Sequence, residues 1–182
     1  MRKAELRKQL LLERMADHVL AHGLQAASLR PLAAAAGTSD RMLLHYFADK
    51  EELLTATLTL VAQRLLAVLE RARADPLPFH ILLPQLAAML QDPQIQPYMR
   101  LWLELITFAA GGKEPFRSVA QQILNSFSHW IAAGLRVENE EQRAPLAALM
   151  LALIEGFVLF DTLGADATRA LALAGVALIP RR

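Results

Sequence analysis

Residues 28–47 read SLRPLAAAAGTSDRMLLHYF, and their spacing divides them into two short helices joined by a tight turn. Ser28 stands where an N-cap is wanted, and Pro31 falls in the first helical turn, where a missing N–H costs little. Gly37 supplies the residue that ends the first helix, and Ser39 offers a cap for a second that runs to about Tyr46. Leu32, Ala36, Leu43 and Phe47 fall on facing sides and predict an apolar seam, while the small Ala33 lets the helices approach closely. This is the spacing of a helix-turn-helix, whose second helix is built to enter a DNA major groove.

The flanking sequence extends the pattern. Upstream, Leu6, Leu10, Leu11, Met15, Val19 and Leu20 recur at three- and four-residue steps. They predict a helix from about Arg2 to His22, closed by Gly23 as a left-handed helix end. Downstream, Asp49 and Glu52 form a capping-box pair that opens a long helix reaching about Ala74. Its buried side is marked by Leu53, Leu54, Leu58, Val61, Leu65, Leu66 and Leu69. The Asp75, Pro76, Pro78 cluster breaks it. Further helices are expected at about 79–91, 94–110, 114–135, 143–163 and 166–179, separated by Asp92/Pro93, Gly111/Gly112, the acidic Glu138–Glu141 stretch and Gly164. No strand alternation and no internal repeat stands out. The fold class predicted is all-α with about nine helices. Residues 1–50 are expected to form a three-helix helix-turn-helix domain, joined by a long helix to a C-terminal helical domain over 51–182.

Composition agrees with a packed helical chain. Apolar residues make up 54% of the 182, with only 8 Gly and 9 Pro, which is not the make-up of a disordered or loop-rich protein. The absence of cysteine excludes disulfides, thiolate metal sites and a cysteine nucleophile, and fits a reducing cytoplasm. The basic start Arg2, Lys3, Arg7, Lys8 continues into Glu13, Arg14 and Asp17 rather than an apolar stretch, so no signal peptide is expected and the localisation predicted is cytoplasmic. The net charge of +1 conceals an asymmetry: residues 1–50 hold eight Lys/Arg against five Asp/Glu, and the remainder eleven against thirteen. The basic end is the candidate polyanion end.

Several separate positions in this end resemble one family. A small-residue first helix ending at Gly23, then SLRPLA, AAG, a following Ser, LLHYF and the continuation KEELL are similar to the TetR family of bacterial transcription regulators, over roughly Met15 to Leu54. The resemblance implies a homodimer that binds operator DNA, repression as the default outcome, and a divergent C-terminal ligand-sensing and dimerisation domain, here over 51–182, that often encloses an apolar ligand pocket. It also implies roles for single residues. Ser28 and Lys50 would hold phosphates, Arg30 would reach a base or phosphate near the first of the two short helices, and Arg41, Met42, His45 and Tyr46 would face the major groove. Ser39 joins this set at the start of the reading helix. The chemistry suits those roles: arginine bonds guanine bidentately, Met42 can pack on a thymine methyl, and His45 and Tyr46 offer hydrogen bonds. Arg2, Lys3, Arg7 and Lys8 would add counterion release. The chain departs from the family at Leu44, where an aromatic is usual, at Arg41, where a small residue is frequent, and at Asp40, which adds a negative charge near the groove.

For the C-terminal part, Phe79, Leu83, Met99, Trp102, Leu103, Ile106, Phe127, Trp130 and Phe157 are candidates to line a pocket for a small apolar or amphipathic effector, against the plain alternative that they are ordinary core. Phe108 belongs to the same stretch. Arg100, Glu104 and Thr107 share one helix face and read as a solvated stripe. The run Leu146–Phe160 is apolar on every side except at Glu155 and Gly156, is too short and too interrupted for a membrane span, and therefore needs cover on both faces. A second copy supplies that cover most simply, through the last two helices. Leu149, Leu153, Glu155, Phe160, Leu171 and Val176 are the candidate interface residues, with Leu173, Leu178 and Ile179 beside them. Glu155 is read as an interface partner before a ligand anchor, and Asp161 and His129 are weaker ligand candidates. His18 and His22 stand four residues apart, a spacing that can hold a metal, but no third ligand is evident and no metal site is predicted. No phosphate loop, nucleophile elbow or paired catalytic carboxylates appear, so no enzyme, no catalytic residue and no cofactor is expected. The competing reading is a helical ligand-binding or protein-interaction module that does not bind an operator.

Overall fold

In the computed structural model of the chain, which describes residues 3–73 and 75–177, the helical punctuation becomes real ends. The first helix, α1, spans Lys3–His22; its expected start at Arg2, like the positions Ala74, Leu178 and Ile179, lies outside the described residues. Leu11, Met15, Ala16 and Val19 are its buried side, at the three- to four-residue steps of one helix face. Leu6 and Leu10 keep the periodic spacing but lie 55% and 44% exposed, because Leu10 sits about 100° round the helix from Leu11. Gly23 ends α1, its N–H donating to Val19 O at 2.8 Å. Its φ of 77° and ψ of −178° are not the left-handed helical pair expected but an extended positive-φ conformation open essentially to glycine alone. A short 3-10 turn at Leu24–Ala26 follows, which the sequence pattern did not reveal.

Helix α2 is Leu29–Ala36. Gly37 adopts the left-handed conformation (φ 68°, ψ 40°), and its N–H and that of Thr38 reach back to Ala34 O and Ala33 O at 3.0 and 2.9 Å, the paired bonds of a Schellman end. Arg14 Nη1 covers a further open carbonyl, Ala36 O, at 3.0 Å. Helix α3 is Asp40–Tyr46, capped by Ser39 Oγ, which accepts from Met42 N–H at 3.3 Å. Helix α4 is Lys50–Ala72. Asp49 Oδ1 accepts from Glu52 N–H at 2.8 Å, and Glu52 Oε2 reaches past the cap to accept from Ala48 N–H at 2.6 Å. The box closes one residue further upstream than its usual form.

The remaining helices are α5 (Phe79–Met89), α6 (Gln96–Ala110), α7 (Phe116–Gly134), α8 (Arg143–Thr162) and α9 (Asp166–Ala177), with a second 3-10 turn at Glu140–Gln142. Among the described residues there are nine α-helices and no strand beyond an isolated bridge between Leu77 and Leu135. Packing groups the chain into two units interleaved in sequence: Met1–Arg71 with Pro97–Leu124, and Ala72–Gln96 with Asn125–Arg182.

In the first unit the predicted seam is sealed. Leu32, Ala36 and Leu43 are wholly buried and Phe47 is 1% exposed, in one core with Leu11, Met15, Val19, Leu53 and Leu58. Leu101 and Leu105 of α6 and Val119 of α7 complete that core, so the helix-turn-helix rests on later parts of the chain as well as on α1 and α4. Arg64 of α4 fastens α1: its Nη1 meets Asp17 Oδ1 at 2.7 Å, and its Nη2 contacts Glu13 Oε2 and donates to Glu13 O at 3.1 Å. Burial works against the guanidinium charge, but the bonds to Glu13 and Asp17 outweigh it and hold Arg64 above its ordinary pKa.

In the second unit α5, α8 and α9 pack on one another. Leu82, Leu83, Leu86 and Ala87 of α5 and Ala147, Met150, Phe157 and Val158 of α8 are buried. Leu77 is pinned by two backbone bonds, from its N–H to Gly134 O (2.9 Å) and from Arg136 N–H to its own carbonyl (2.8 Å). Arg143 donates to Ala132 O at 2.7 Å and to Leu135 O, closing the end of α7. Arg169 of α9 stands 2.8 Å from Asp161 Oδ1, an ion pair not aligned as a hydrogen bond, and donates to Ala87 O of α5. Two helices, α4 and the stretch 140–162 that contains α8, are long and apolar enough by length and composition to cross a membrane.

Candidate nucleic-acid interface

Helix α3 has one side in the core and the other bare. Leu43 is buried, whereas Arg41, Met42, Leu44 and His45 are exposed. For Met42 and Leu44 the exposure is 45% and 44%; apolar side chains left out on a short helix beside an arginine suit contact with thymine methyls more than contact with water. Tyr46 is half-buried and packs against the core, with its ring edge-on to His45 at 5.5 Å between centroids. The core thus holds the ring while its neighbour stays outside. Asp40 is half-buried in the first turn of α3, where a carboxylate suits the helix dipole.

Ser28, Arg30, Ser39 and Lys50 are likewise exposed. Ser28 occupies the N-cap position of α2 without the side-chain capping bond expected of it. Ser39 does cap, so its hydroxyl is engaged by the Met42 amide. Lys50 opens α4 beside the capped turn. Of the basic residues before the helix-turn-helix, Arg2 lies outside the described residues, and Lys3 and Arg7 are exposed. Lys8 is engaged within the unit: its Nζ is 3.1 Å from Glu52 Oε1 and 4.5 Å from the centroid of the Phe47 ring. Glu52 itself is held below the usual carboxylate range by the Ala48 N–H and then by Lys8.

Glu104 leaves the solvated stripe predicted for it. The carboxylate turns toward the end of α1, and its Oε2 accepts from Leu24 N–H at 2.7 Å. Arg100 remains exposed, and the Thr107 hydroxyl donates to Leu103 O at 2.9 Å within its own helix. A contact joining residues 80 apart in sequence carries no local signal.

The pocket candidates fall in both units. Met99, Trp102, Leu103 and Ile106 lie along α6, with Trp102 packed against the first unit's core and Ile106 exposed. Phe108 packs against Phe116 with the two rings tilted, 4.9 Å between centroids. In the second unit Leu83 and Phe157 are sealed in the interior, while Phe79, Phe127 and Trp130 are half-buried. The Arg169 guanidinium lies over the Phe157 ring at 5.6 Å from its centroid, and the His129 Nδ1 lies 2.7 Å from Asn125 O of its own helix.

Of the interface candidates, Leu149 and Leu171 are 46% and 74% exposed, and Leu153, Glu155, Phe160 and Val176 are half-buried. Leu159 and Leu163, not singled out from the sequence, stand beside them at 49% and 70%. His18 and His22 stack their rings 4.5 Å apart, and among the described residues no three histidine, cysteine or acidic side chains gather to hold a metal.

Residues 16–57 match the family described as bacterial regulatory proteins, tetR family. Solved structures share the fold over nearly the whole chain. A transcriptional regulator from Rhodococcus sp. Rha1 is 23% identical, with a TM-score of 0.68 over 92% of this chain and 90% of its own. A TetR-family regulator from Cytophaga hutchinsonii is 16% identical, with a TM-score of 0.70 over 96% and 93%. A transcriptional regulator from Saccharomonospora viridis, in complex with choline, is 19% identical, with a TM-score of 0.61 over 97% and 98%. Among curated protein sequences none matches. Residues 16–57 thus match the N-terminal helix-turn-helix module of the tetR family of bacterial regulatory proteins, and the fold of the whole chain is similar to that of solved TetR-family structures.

Proposed function

We propose that the chain is a dimeric repressor that holds a pseudo-palindromic operator and leaves it when a small apolar or amphipathic effector binds. The observation that carries the reading is the surface of α3: Arg41, Met42, Leu44 and His45 exposed on a helix whose other side is locked by Leu43 in a sealed core. A rigid helix presenting a cation, apolar contacts and a ring nitrogen is what base-edge reading requires. Ser28, Ser39 and Lys50 anchor phosphates around it, Arg30 reaches the backbone or a base from α2, and Tyr46 supports the reading side chains from behind. Residues 1–50 read DNA, and residues 51–182 sense and dimerise. The protein acts by binding, without catalysis or a cofactor, in the cytoplasm.

Dimerisation uses α8 and α9, through Leu149, Leu153, Glu155, Phe160, Leu171 and Val176. The large apolar side chains left exposed there, up to 74% at Leu171, support that reading, because a helix apolar all round is stable in water only when covered. The same helices of a second copy give a two-fold, self-complementary four-helix contact, which sets two α3 helices in successive major grooves about 34–36 Å apart. The half-buried aromatic side chains Phe79, Phe127 and Trp130 of the second unit meet the effector. That the S. viridis protein of this fold carries choline supports a small molecule as the effector class. Release requires the effector to favour one spacing of the heads over another by several kcal/mol.

Fluorescence anisotropy against the chain's own upstream intergenic DNA, at two salt concentrations with scrambled duplex as competitor, tests the reading. The expected result is binding of one dimer per site that beats the competitor, with Arg41→Ala relaxing base preference and Lys50→Ala lowering the salt slope by about one. Equal, weak binding to both duplexes, repeated across genomic fragments, would overturn it in favour of a helical interaction module.

A further inference from the structure

We propose that Glu104 of α6 is a positioning residue for DNA reading, setting the orientation of α2 and α3 from outside the helix-turn-helix; the inference rests on the regulator reading above. Its carboxylate accepts from Leu24 N–H at 2.7 Å, at the turn where the chain leaves α1 for α2. Gly23 is the residue that should cap this turn, and it has no side chain to do so. Glu104 fills the place: a Cβ built on Gly23 would stand 2.5 and 2.7 Å from the two carboxylate oxygens. An acceptor is thus delivered from 80 residues away to an amide that no neighbouring side chain serves, by a bond of the strong, charge-assisted kind.

The placement makes this more than a cap. Leu24 and Ala27, on either side of the turn, are both 5% exposed, so the short link from α1 to Ser28 has little freedom of its own. Leu101 and Leu105, three residues before Glu104 and one after, lie in the same core as Leu32, Leu43 and Phe47. Helix α6 therefore holds the reading helices from behind through its leucines and fixes the entrance to α2 through its carboxylate. Met99, Trp102, Leu103 and Ile106 share that helix, so the element that carries these side chains is the one bonded to Leu24.

A side chain that only stabilises the fold alters melting temperature alone, whereas one that orients the heads alters which half-site separation the dimer accepts. The experiment measures binding of wild type, Glu104→Ala, Glu104→Gln and Glu104→Asp to the natural operator and to operators lengthened or shortened by one base pair, with thermal melts in parallel. Glu104→Ala is expected to lose about tenfold or more of the preference for the natural spacing, as the loss of one charge-assisted bond implies. Glu104→Gln, which keeps an acceptor oxygen of the same reach, restores most of it. A folded Glu104→Ala dimer with wild-type spacing preference overturns the proposal. Should Glu104→Ala fail to fold, Glu104→Asp decides by the same comparison, since it keeps the charge but withdraws the oxygens by one methylene. A wild-type protein without any operator preference overturns the regulator reading itself and this inference with it, and is recognised because the defect lies in the unaltered chain.

Discussion

Gly23→Ala and Glu104→Ala, made singly and together, measure how the α1–α2 corner is held. The alanine methyl would overlap the carboxylate oxygens at 2.5 and 2.7 Å, but these belong to the end of a flexible side chain and swing aside at small cost. The penalty of Gly23→Ala then has two parts: backbone strain at φ 77°, ψ −178°, worth about 1–3 kcal/mol, and loss of the bond to Leu24 N–H, worth about 1.5–3 kcal/mol for a charged acceptor. The sum is about 2.5–6 kcal/mol. Glu104→Ala alone loses only the second part. In the double variant the bond is already gone, so the pair falls short of additivity by about 1.5–3 kcal/mol. Urea unfolding followed by Trp102 fluorescence in a Trp130→Phe background reads the unit that contains the corner, since Trp102 belongs to it and Trp130 does not. Penalties that add to within a few tenths of a kcal/mol would refute the idea that one carboxylate fills the place of the missing side chain.

Three further outcomes are expected. Phe47→Ala, which empties a site 1% exposed and removes the ring beneath Lys8, should destabilise by about 3–5 kcal/mol in urea melts, and a loss below about 1 kcal/mol would show the seam is not tightly packed. Glu13 is held below its ordinary pKa first by the hydrogen bond from Arg64 and then by Gln9, and Glu52 by the Ala48 amide and then Lys8. Depressed carboxylates contribute stability that is complete above their unfolded pKa of about 4.3 and lost as pH falls through the folded values. The melting temperature should therefore be level near neutrality and decline below about pH 4.3, less steeply in Arg64→Ala; an unchanged slope in that variant would exclude the Glu13 pair as a cause. Leu159→Glu with Leu163→Glu, at positions 49% and 70% exposed, should turn a dimer into a folded monomer by light scattering, and a persistent dimer would move the interface away from this end of α8.

Much of the N-terminal architecture was legible because its determinants are local. Gly37, Ser39 and the Asp49/Glu52 pair act on groups within about five residues of themselves, so the order of letters already contains the bonds they make. The end of α2 and the starts of α3 and α4 follow from those residues. Periodicity was less reliable at the start of α1, where Leu6 and Leu10 repeat correctly but point away from the core; spacing states which residues share a face, not whether anything lies opposite. The 3-10 turn after Gly23 escaped for a related reason, since three residues contain no period.

The C-terminal candidates were harder in kind. An apolar side chain at helical spacing looks the same in sequence whether it seals a core, as Leu83 and Phe157 do, or stays partly open, as Phe79 and Trp130 do. A polar residue is more informative there, but only after folding has chosen its partner. Glu104 has the spacing of a surface stripe and the neighbours of one, yet it is committed to a backbone amide in the 3-10 turn that follows α1. Gly23 explains how such a residue could be suspected earlier. A glycine at a helix end is ordinary when the next groups are capped locally, as at Gly37, where Thr38 and Gly37 amides find carbonyls within α2. After Gly23 the sequence LQA offers no local acceptor side chain for the Leu24 amide except Gln25, which is exposed. A buried amide without a local acceptor must be met from afar, so the unfilled cap was itself the signal that a distant carboxylate was needed, although nothing near it in sequence said that the carboxylate would come from α6.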